Sequence, residues 1–365
     1  MVPRVLVTGA GPTGAICAHI LRKELQDKVH IDVWDKSNGT GGRMSTSRDP
    51  ENSECTADLG AQYLTVTPDY AQDHESYYAE LISVGLTQEL SGGIEGIKSS
   101  RYPANTKHYV TPQGISSIVK HFLMKSDSNV LFNHSLTSIE LQGQGSDAKL
   151  HTKHDEDGIE SIHPAPPYYD AVILTIPTPQ VIKIQGLVAE TLKEKPSVKE
   201  KLEKVNYSSR YALALFFPPG VTPDVPWNAR YEQEDECIRW ISIDNKKRQN
   251  EEACSAVVVH TSVPFGIKHL EADKQLVEQI IKQHLDNLMP NLPSPVRSKC
   301  QRWRYSQVST PYEGSPGTLV LAEGPSYILL VAGDGMSHSN FDGCIASAEA
   351  TCKKLIHHWK TNSQL

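Results

Sequence analysis

The chain has 365 residues, with 36 Lys and Arg against 43 Asp and Glu; its formal charge of -7 leaves no basic field for nucleic acid. Its apolar runs, such as residues 211–217 and 327–332, are far too short to span a bilayer, and the length suits one large or two ordinary domains with ample core. The seven cysteines, odd in number and without a Cys-x-x-Cys pair, read as free thiols in a reducing compartment.

Met1-Val-Pro-Arg runs directly into an apolar strand at residues 5–8, so no cleavable leader is expected. Next comes Gly9-Ala-Gly11-Pro-Thr-Gly14, a Gly-x-Gly-x-x-Gly turn that opens a helix at Ala15 and runs to about Leu25. Gly9 permits the tight turn, Gly11 lets backbone approach a diphosphate, and Gly14 lets the helix pack close to the strand. The helix aims its free N–H groups and positive dipole end at that diphosphate. A second strand, residues 29–34, ends at Asp35, 21 positions beyond Gly14, where a carboxylate accepts the hydroxyls of an adenosine ribose. A dinucleotide is expected here. Of three Asn-x-Ser/Thr sequons (Asn38, Asn133, Asn206), the first lies just after Asp35, where a glycan would obstruct that site.

The fingerprint does not separate NAD from FAD; the next segment does. Gly41-Gly42-Arg43 would put a guanidinium beside the diphosphate. The segment Ala57-Asp-Leu-Gly-Ala-Gln62-Tyr63 is small enough for backbone to pass close to a flat ring. In order and spacing this block resembles the FAD-binding half of the flavin amine oxidase superfamily.

Residues 111–124 combine a turn with apolar residues at helical spacing (Ile115, Ile118, Val119, Phe122, Leu123) and predict a core helix. Strands are expected around 130–133, 136–142 and 149–152, a solvated loop over 153–167, and a buried parallel strand over 169–177. Residues 186–204, rich in Lys and Glu, read as one exposed amphipathic helix. Strands at 206–217, 237–244 and 256–261 and a helix over 274–288 suggest a mainly antiparallel second domain. Residues 327–332 then form a buried strand that delivers Gly333-Asp334-Gly335, and Asn340-Phe-Asp-Gly343 opens the last helix. Asp334 is expected to bind ribityl or diphosphate oxygens, and the helix end at Gly343 to face the N1/C2=O edge of a flavin.

Longer segments narrow the resemblance. Gly41-Gly-Arg-Met, Cys55-Thr-Ala-Asp-Leu-Gly-Ala-Gln-Tyr, Pro112-Gln-Gly-Ile-Ser-Ser-Ile and Tyr207-Ser-Ser-Arg-Tyr-Ala-Leu resemble the animal-type renalase family. So do Ser242-Ile-Asp-Asn-Lys-Lys-Arg, His260-Thr-Ser-Val-Pro-Phe-Gly and Ser339-Asn-Phe-Asp-Gly-Cys-Ile, so the matches span nearly the whole chain; the clearest departures are in loops such as 155–167.

The resemblance implies an α/β two-domain flavoprotein of the p-hydroxybenzoate hydroxylase-like or amine oxidase-like type. A Rossmann-like FAD-binding domain is expected from residues 1–66, 110–178 and 303–365, and a sheet-and-helix substrate domain from 67–109 and 179–302. It implies non-covalent FAD, substrates that are 2- and 6-dihydro isomers of NAD(P)H, O2 as acceptor, and the products β-NAD(P)+ and hydrogen peroxide. By family motif Thr13, Arg43, Gln62 and Tyr63 join Gly9, Gly11, Gly14, Asp35, Gly42, Gly333, Asp334 and Gly343 at the cofactor. Arg239 and His260, on adjacent strands, are the candidates for positioning substrate, with Asn245 beside them. No metal is expected, because the histidines lack ligand spacing. The location expected is cytoplasmic. Two alternatives stay open: oxidation of a catecholamine-like amine, against which the stretch 334–343 lacks Tyr and Trp, and a secreted signalling protein with a structural FAD.

Overall fold

The computed structural model describes residues 2–97, 102–155, 168–250, 252–362 and 364. Strand β1 (Arg4–Thr8) leads through Gly9 into helix α1 (Pro12–Leu25). The helix starts at Pro12, ahead of the expected Ala15, because a proline in the first turn has no N–H to leave unsatisfied and is already set for helical φ. Strand β2 (His30–Asp35) follows, then the antiparallel pair β3 (Thr46–Arg48) and β4 (Thr56–Asp58). Helix α2 (Ser116–Ser126) buries Ile118, Val119, Phe122 and Leu123 as its spacing predicts, and strand β5 (Asn129–Phe132) follows. Strand β6 (Ala171–Leu174) is buried throughout.

The segment expected as one helix over 186–204 is two, α3 (Leu187–Glu194) and α4 (Pro196–Glu203). Pro196 cannot continue the hydrogen-bond ladder and instead begins the second helix. Beyond it lie β7 (Arg210–Phe216), β8 (Ala229–Tyr231), β9 (Ile238–Ile243), the single turn α5 (Asp244–Lys247), β10 (Ala256–Thr261), α6 (Lys274–Leu288) and β11 (Arg297–Trp303). The chain ends with β12 (Thr318–Gly324), β13 (Tyr327–Ala332) and α7 (Phe341–Thr361).

The chain forms two compact units. The first comprises Met1–Gly42, Val119–Asn206 and Val308–Leu365. Its six-stranded sheet has the order β12-β13-β6-β1-β2-β5, parallel except for the β12–β13 pair. Strands covered on both faces need apolar residues at every position, which is why β1, β6 and β13 read as unbroken apolar runs. Helix α7 packs on α1, where the Cys352 thiol meets the Cys17 carbonyl at 3.5 Å. In the region expected as a loop from residue 153, residues 153–155 extend a strand, Lys149–Asp155; the part from 156 to 167 lies outside the described residues.

The second unit comprises Arg43–Ile118 and Tyr207–Gln307. Its sheet runs β11-β7-β10-β9-β8, antiparallel, with Ile94–Glu95 added parallel to β8. One face packs Leu213, Leu215, Ile241, Ile243, Val257 and Val259 under Val277, Ile281 and Leu285 of α6. The other face packs Ala212, Ala214, Phe216, Ala256 and Val258 under Cys55, Ala57 and Leu59. Coverage of both faces explains the imperfect alternation of β9.

Here the expectation of seven free thiols is corrected. Cys55 and Cys254 are joined as a disulfide, while Cys17, Cys237, Cys300, Cys344 and Cys352 are buried and form no disulfide. The two partners are 199 positions apart in sequence, and only the packing of β4 against the start of β10 brings them together. Among the described residues no helix is long and apolar enough to cross a membrane.

Candidate functional site

In the first unit the glycine turn is built as its chemistry requires. Gly9 has φ +108°, and a Cβ on Gly14 would lie 2.0 Å from the Gly9 carbonyl oxygen, so neither position accepts a side chain. Above Gly11, by contrast, a Cβ would meet nothing nearer than the Gly41 carbonyl at 4.0 Å, and the backbone is open to a ligand. Helix α1 has no side-chain cap and no acidic residue in its first turn, where Thr13 is buried. Its first N–H groups and positive end suit a diphosphate. Asp35 Oδ2 accepts from Ala10 N and Oδ1 from Ser37 N, each at 2.8 Å, and the carboxylate keeps lone pairs for ribose hydroxyls. Gly41 N donates to Ala10 O at 2.8 Å, which lays Gly42 against Gly11.

At the other strand end, Gly333 (φ +119°) donates to Ser347 Oγ at 2.8 Å. Asp334, nearly buried, accepts from Ser339 Oγ at 3.2 Å. Asn340 caps α7 by accepting the Gly343 N–H at 2.7 Å, and a Cβ on Gly343 would sit 2.0 Å from the His338 carbonyl. Open backbone at Gly11, the uncapped α1 and the Asp35 carboxylate fit the adenosine-diphosphate half of a dinucleotide.

In the second unit Arg43 leads into the segment that carries Gln62. Its carbonyl accepts from Ala61 N at 2.9 Å and would collide with any side chain at position 60. Its guanidinium lies 5.9 Å over the Tyr207 ring and donates to Ser306 O at 3.4 Å. Gln62 is a hub. Its Oε1 accepts from Lys247 Nζ at 2.9 Å, Trp240 Nε1 at 3.1 Å and Ser242 Oγ at 3.3 Å. Its Nε2 donates to the carbonyls of Asp58 and Gly60 and lies 3.2 Å from His260 Nε2. Three donors on one end leave the amide a single orientation, and the Asp58 and Gly60 carbonyls match its two N–H groups, with His260 Nε2 in contact beside them.

His260 is surrounded by protein yet keeps accessible surface. Burial, reinforced by the charges of Arg210 and Lys247, lowers its pKa to about 3, so the ring is neutral.

Behind Gln62 lies a buried charge cluster. Lys247 Nζ is 2.8 Å from Asp244 Oδ1 and 4.0 Å from Asp58 Oδ2, and Arg248 Nη2 is 2.8 Å from Asp244 Oδ2. All four side chains are nearly inaccessible. Burial and the charge of Asp244 push Asp58 up. For Asp244 burial acts the same way, but Arg248 and Lys247 outweigh it and hold that carboxyl low. Thr46 Oγ1, at 2.7 Å, and Ile115 N, at 3.0 Å, both donate to Asp58 Oδ1.

Beside the hub, the Tyr63 and Tyr231 hydroxyls are 2.7 Å apart, and both rings pack on Trp240. Burial and its tyrosine neighbours push the Tyr63 phenol up, which keeps it protonated. Of the residues singled out from sequence, the second unit thus gathers Gln62, Tyr63 and His260. Arg239 is engaged elsewhere: its Nη1 donates to the carbonyls of Glu232 at 2.7 Å and Gln233 at 3.2 Å. Asn245 is buried in α5, and no described residue reaches its Oδ1.

Sequence reasoning missed Lys247, Asp244, Asp58, Arg248, Trp240 and Tyr231. A signal was present for three of them: Asp244, Lys247 and Arg248 stand at i, i+3 and i+4, the spacing that pairs charges on one helical turn. The assembled groups fix donors and aromatic faces in place, and their charges are already paired. Such an arrangement offers fixed donors and ring faces rather than a free proton carrier.

Comparison with known proteins agrees with this architecture. Residues 7–81 match the NAD(P)-binding Rossmann-like domain family. The solved structure of a candidate protoporphyrinogen oxidase from Exiguobacterium sp. 255-15 superposes with a TM-score of 0.71 at 13% identity, covering 97% of this chain and 99% of that one. An oxidoreductase from Methanosarcina mazei gives 0.61 at 12% identity, covering 96% and 100%. Both share the fold. Mouse renalase is 43% identical over 354 residues, which are 96% of this chain and 98% of the mouse protein. At that identity and coverage the chain belongs to the renalase family of flavoprotein oxidoreductases.

Proposed function

We propose that the chain oxidises misreduced nicotinamides, converting 2- and 6-dihydro isomers of NAD(P)H to β-NAD(P)+ with non-covalent FAD and reducing O2 to hydrogen peroxide. The observation that carries this reading is the state of the groups around Gln62. His260 is neutral and packed against the Gln62 amide, the Lys247 side chain is committed to Asp244 and Gln62, and the Tyr63 phenol stays protonated. Turning a dihydropyridine into an aromatic pyridinium removes a hydride and no proton, so it requires positioning and no base. Bound FAD supplies the two-electron acceptor.

The chain's own residues hold and orient. Gly9, Gly11, Thr13, Gly14 and Gly42 cradle the diphosphate and Asp35 takes the ribose hydroxyls, with Arg43, Asp334 and the Gly343 helix end as further contacts. Tyr63 offers a ring face, Gln62 fixes its surroundings and His260 positions the substrate; Arg239, engaged with the Glu232 and Gln233 carbonyls, and Asn245, buried in α5, support the site from outside it. The setting proposed is the cytosol; the Cys55–Cys254 bond favours secretion as the second setting.

A second chemistry, amine oxidation, is favoured by one observation: Tyr63, Tyr231 and Trp240 supply clustered rings that the segment after Gly333 lacks. Mixing anaerobic, FAD-loaded protein with 6-dihydroNAD in a stopped-flow instrument decides between them, with dopamine as the comparison. Rapid loss of the oxidised-flavin band with the dihydropyridine alone is the expected result. Loss with dopamine alone overturns the proposal in favour of amine oxidation, and loss with neither points to a non-catalytic role.

A further inference from the structure

The Cys55–Cys254 pair stands apart from the other cysteines. Cys55 is buried, but Cys254 is half-buried, so one sulfur is within reach of small reagents. The Cα atoms are 5.0 Å apart, within the range a disulfide spans without moving backbone. Asn52 Nδ2 donates to both sulfurs, at 3.4 Å to Cys55 and 3.7 Å to Cys254, which stabilises a thiolate there.

The loop that presents Cys55 is held without the bond. Asp49 N donates to Cys55 O and Cys55 N to Asn52 O, each at 2.9 Å, and Arg297 pairs with Asp49 and Glu51. Opening the bond therefore leaves the two sulfurs facing each other. The remaining thiols are poor competitors: burial pushes Cys237 and Cys300 up to about 12 and Cys352 well above its ordinary value.

The connections on either side give the pair its consequence. Cys55 lies three residues before Asp58 and seven before Gln62, and Cys254 lies six before His260. We propose that Cys55 and Cys254 are a reversible dithiol–disulfide site, oxidised by hydrogen peroxide, that clamps the segment leading to Gln62 onto the strand leading to His260.

The Cys254 thiolate attacks one peroxide oxygen, the O–O bond breaks, and hydroxide leaves a sulfenic acid. The Cys55 thiolate then attacks that sulfur, the S–S bond forms, and a second hydroxide departs. In sum two thiols lose two protons and two electrons, and one peroxide becomes two waters. The proposal rests on the oxidase reading only for the origin of the peroxide.

Reagent peroxide therefore tests it independently of turnover. Holoprotein reduced with dithiothreitol and desalted is treated with graded hydrogen peroxide, and thiols are counted after denaturation. The count is expected to fall from seven to five, with peptide mapping joining Cys55 to Cys254, and to return to seven with dithiothreitol under native conditions. Cleavage after exposed Glu54 by a glutamyl endopeptidase should slow several-fold on oxidation. In Cys254→Ser, which alters only the half-buried partner, that cleavage should not respond to peroxide. A count that stays at seven, a link between other cysteines, or a bond that resists reductant in the folded protein overturns the proposal; the last outcome marks a permanent cross-link.

Discussion

Gln62 shows how much one amide can settle when its surroundings are dry. Lys247 gives Gln62 a charge-assisted partner and is itself paired with Asp244, so its removal takes a donor from Gln62 and leaves the buried Asp244 carboxylate with Arg248 alone. Lys247→Met, of similar length, is expected to cost about 3–5 kcal/mol of stability, read as a lower urea midpoint. His260 makes a second prediction. Its folded pKa of about 3 lies below its ordinary 6.5, so between those values the unfolded chain takes up a proton that the folded chain refuses. Its contribution is fully present above pH 6.5 and is lost as pH falls toward 3. Denaturation midpoints measured across that window should fall less steeply with acid for His260→Gln than for the parent chain.

At the scale of elements, legibility followed locality. The β1–turn–α1 unit was readable because each glycine answers a requirement set within a few residues: Gly14 must clear the Gly9 carbonyl, and Gly9 must take positive φ. Helix α6 was readable because Val277, Ile281 and Leu285 recur on one face. The division of α3 from α4 was also written locally, in Pro196, but the even run of Lys and Glu around it masked the break. What could not be read were relations between distant segments. Nothing near Cys55 announces Cys254, and nothing near Gln62 announces Lys247, because β4 and β10 meet only through the sheet. Arg239 illustrates a different limit, set by a local irregularity rather than by distance. It sits where the register between β9 and β10 shifts, and the carbonyls it serves come from residues 232 and 233.

For the molecule as a whole, the order of segments matters as much as their structure. The first unit draws on three stretches of chain and the second on two, so neither is contiguous. Strand β6 lies between β1, near the start of the chain, and β13, which begins at Tyr327, and α7 covers α1 only once residues 341–361 exist. A chain truncated before Tyr327 is expected to lose flavin retention entirely and to partition into the insoluble fraction, measured by flavin content and sedimentation against the full chain. On the ribosome the same arrangement means that β1 has both neighbours, β2 and β6, by residue 174, whereas α1, just after the glycine turn, waits for its cover until α7 is made at the end of synthesis. The sheet keeps an open parallel edge until the last strand emerges, a slow and aggregation-exposed interval. Flavin capture is thereby expected to follow the emergence of β13 and α7, so that translation itself would screen for chains that carry both.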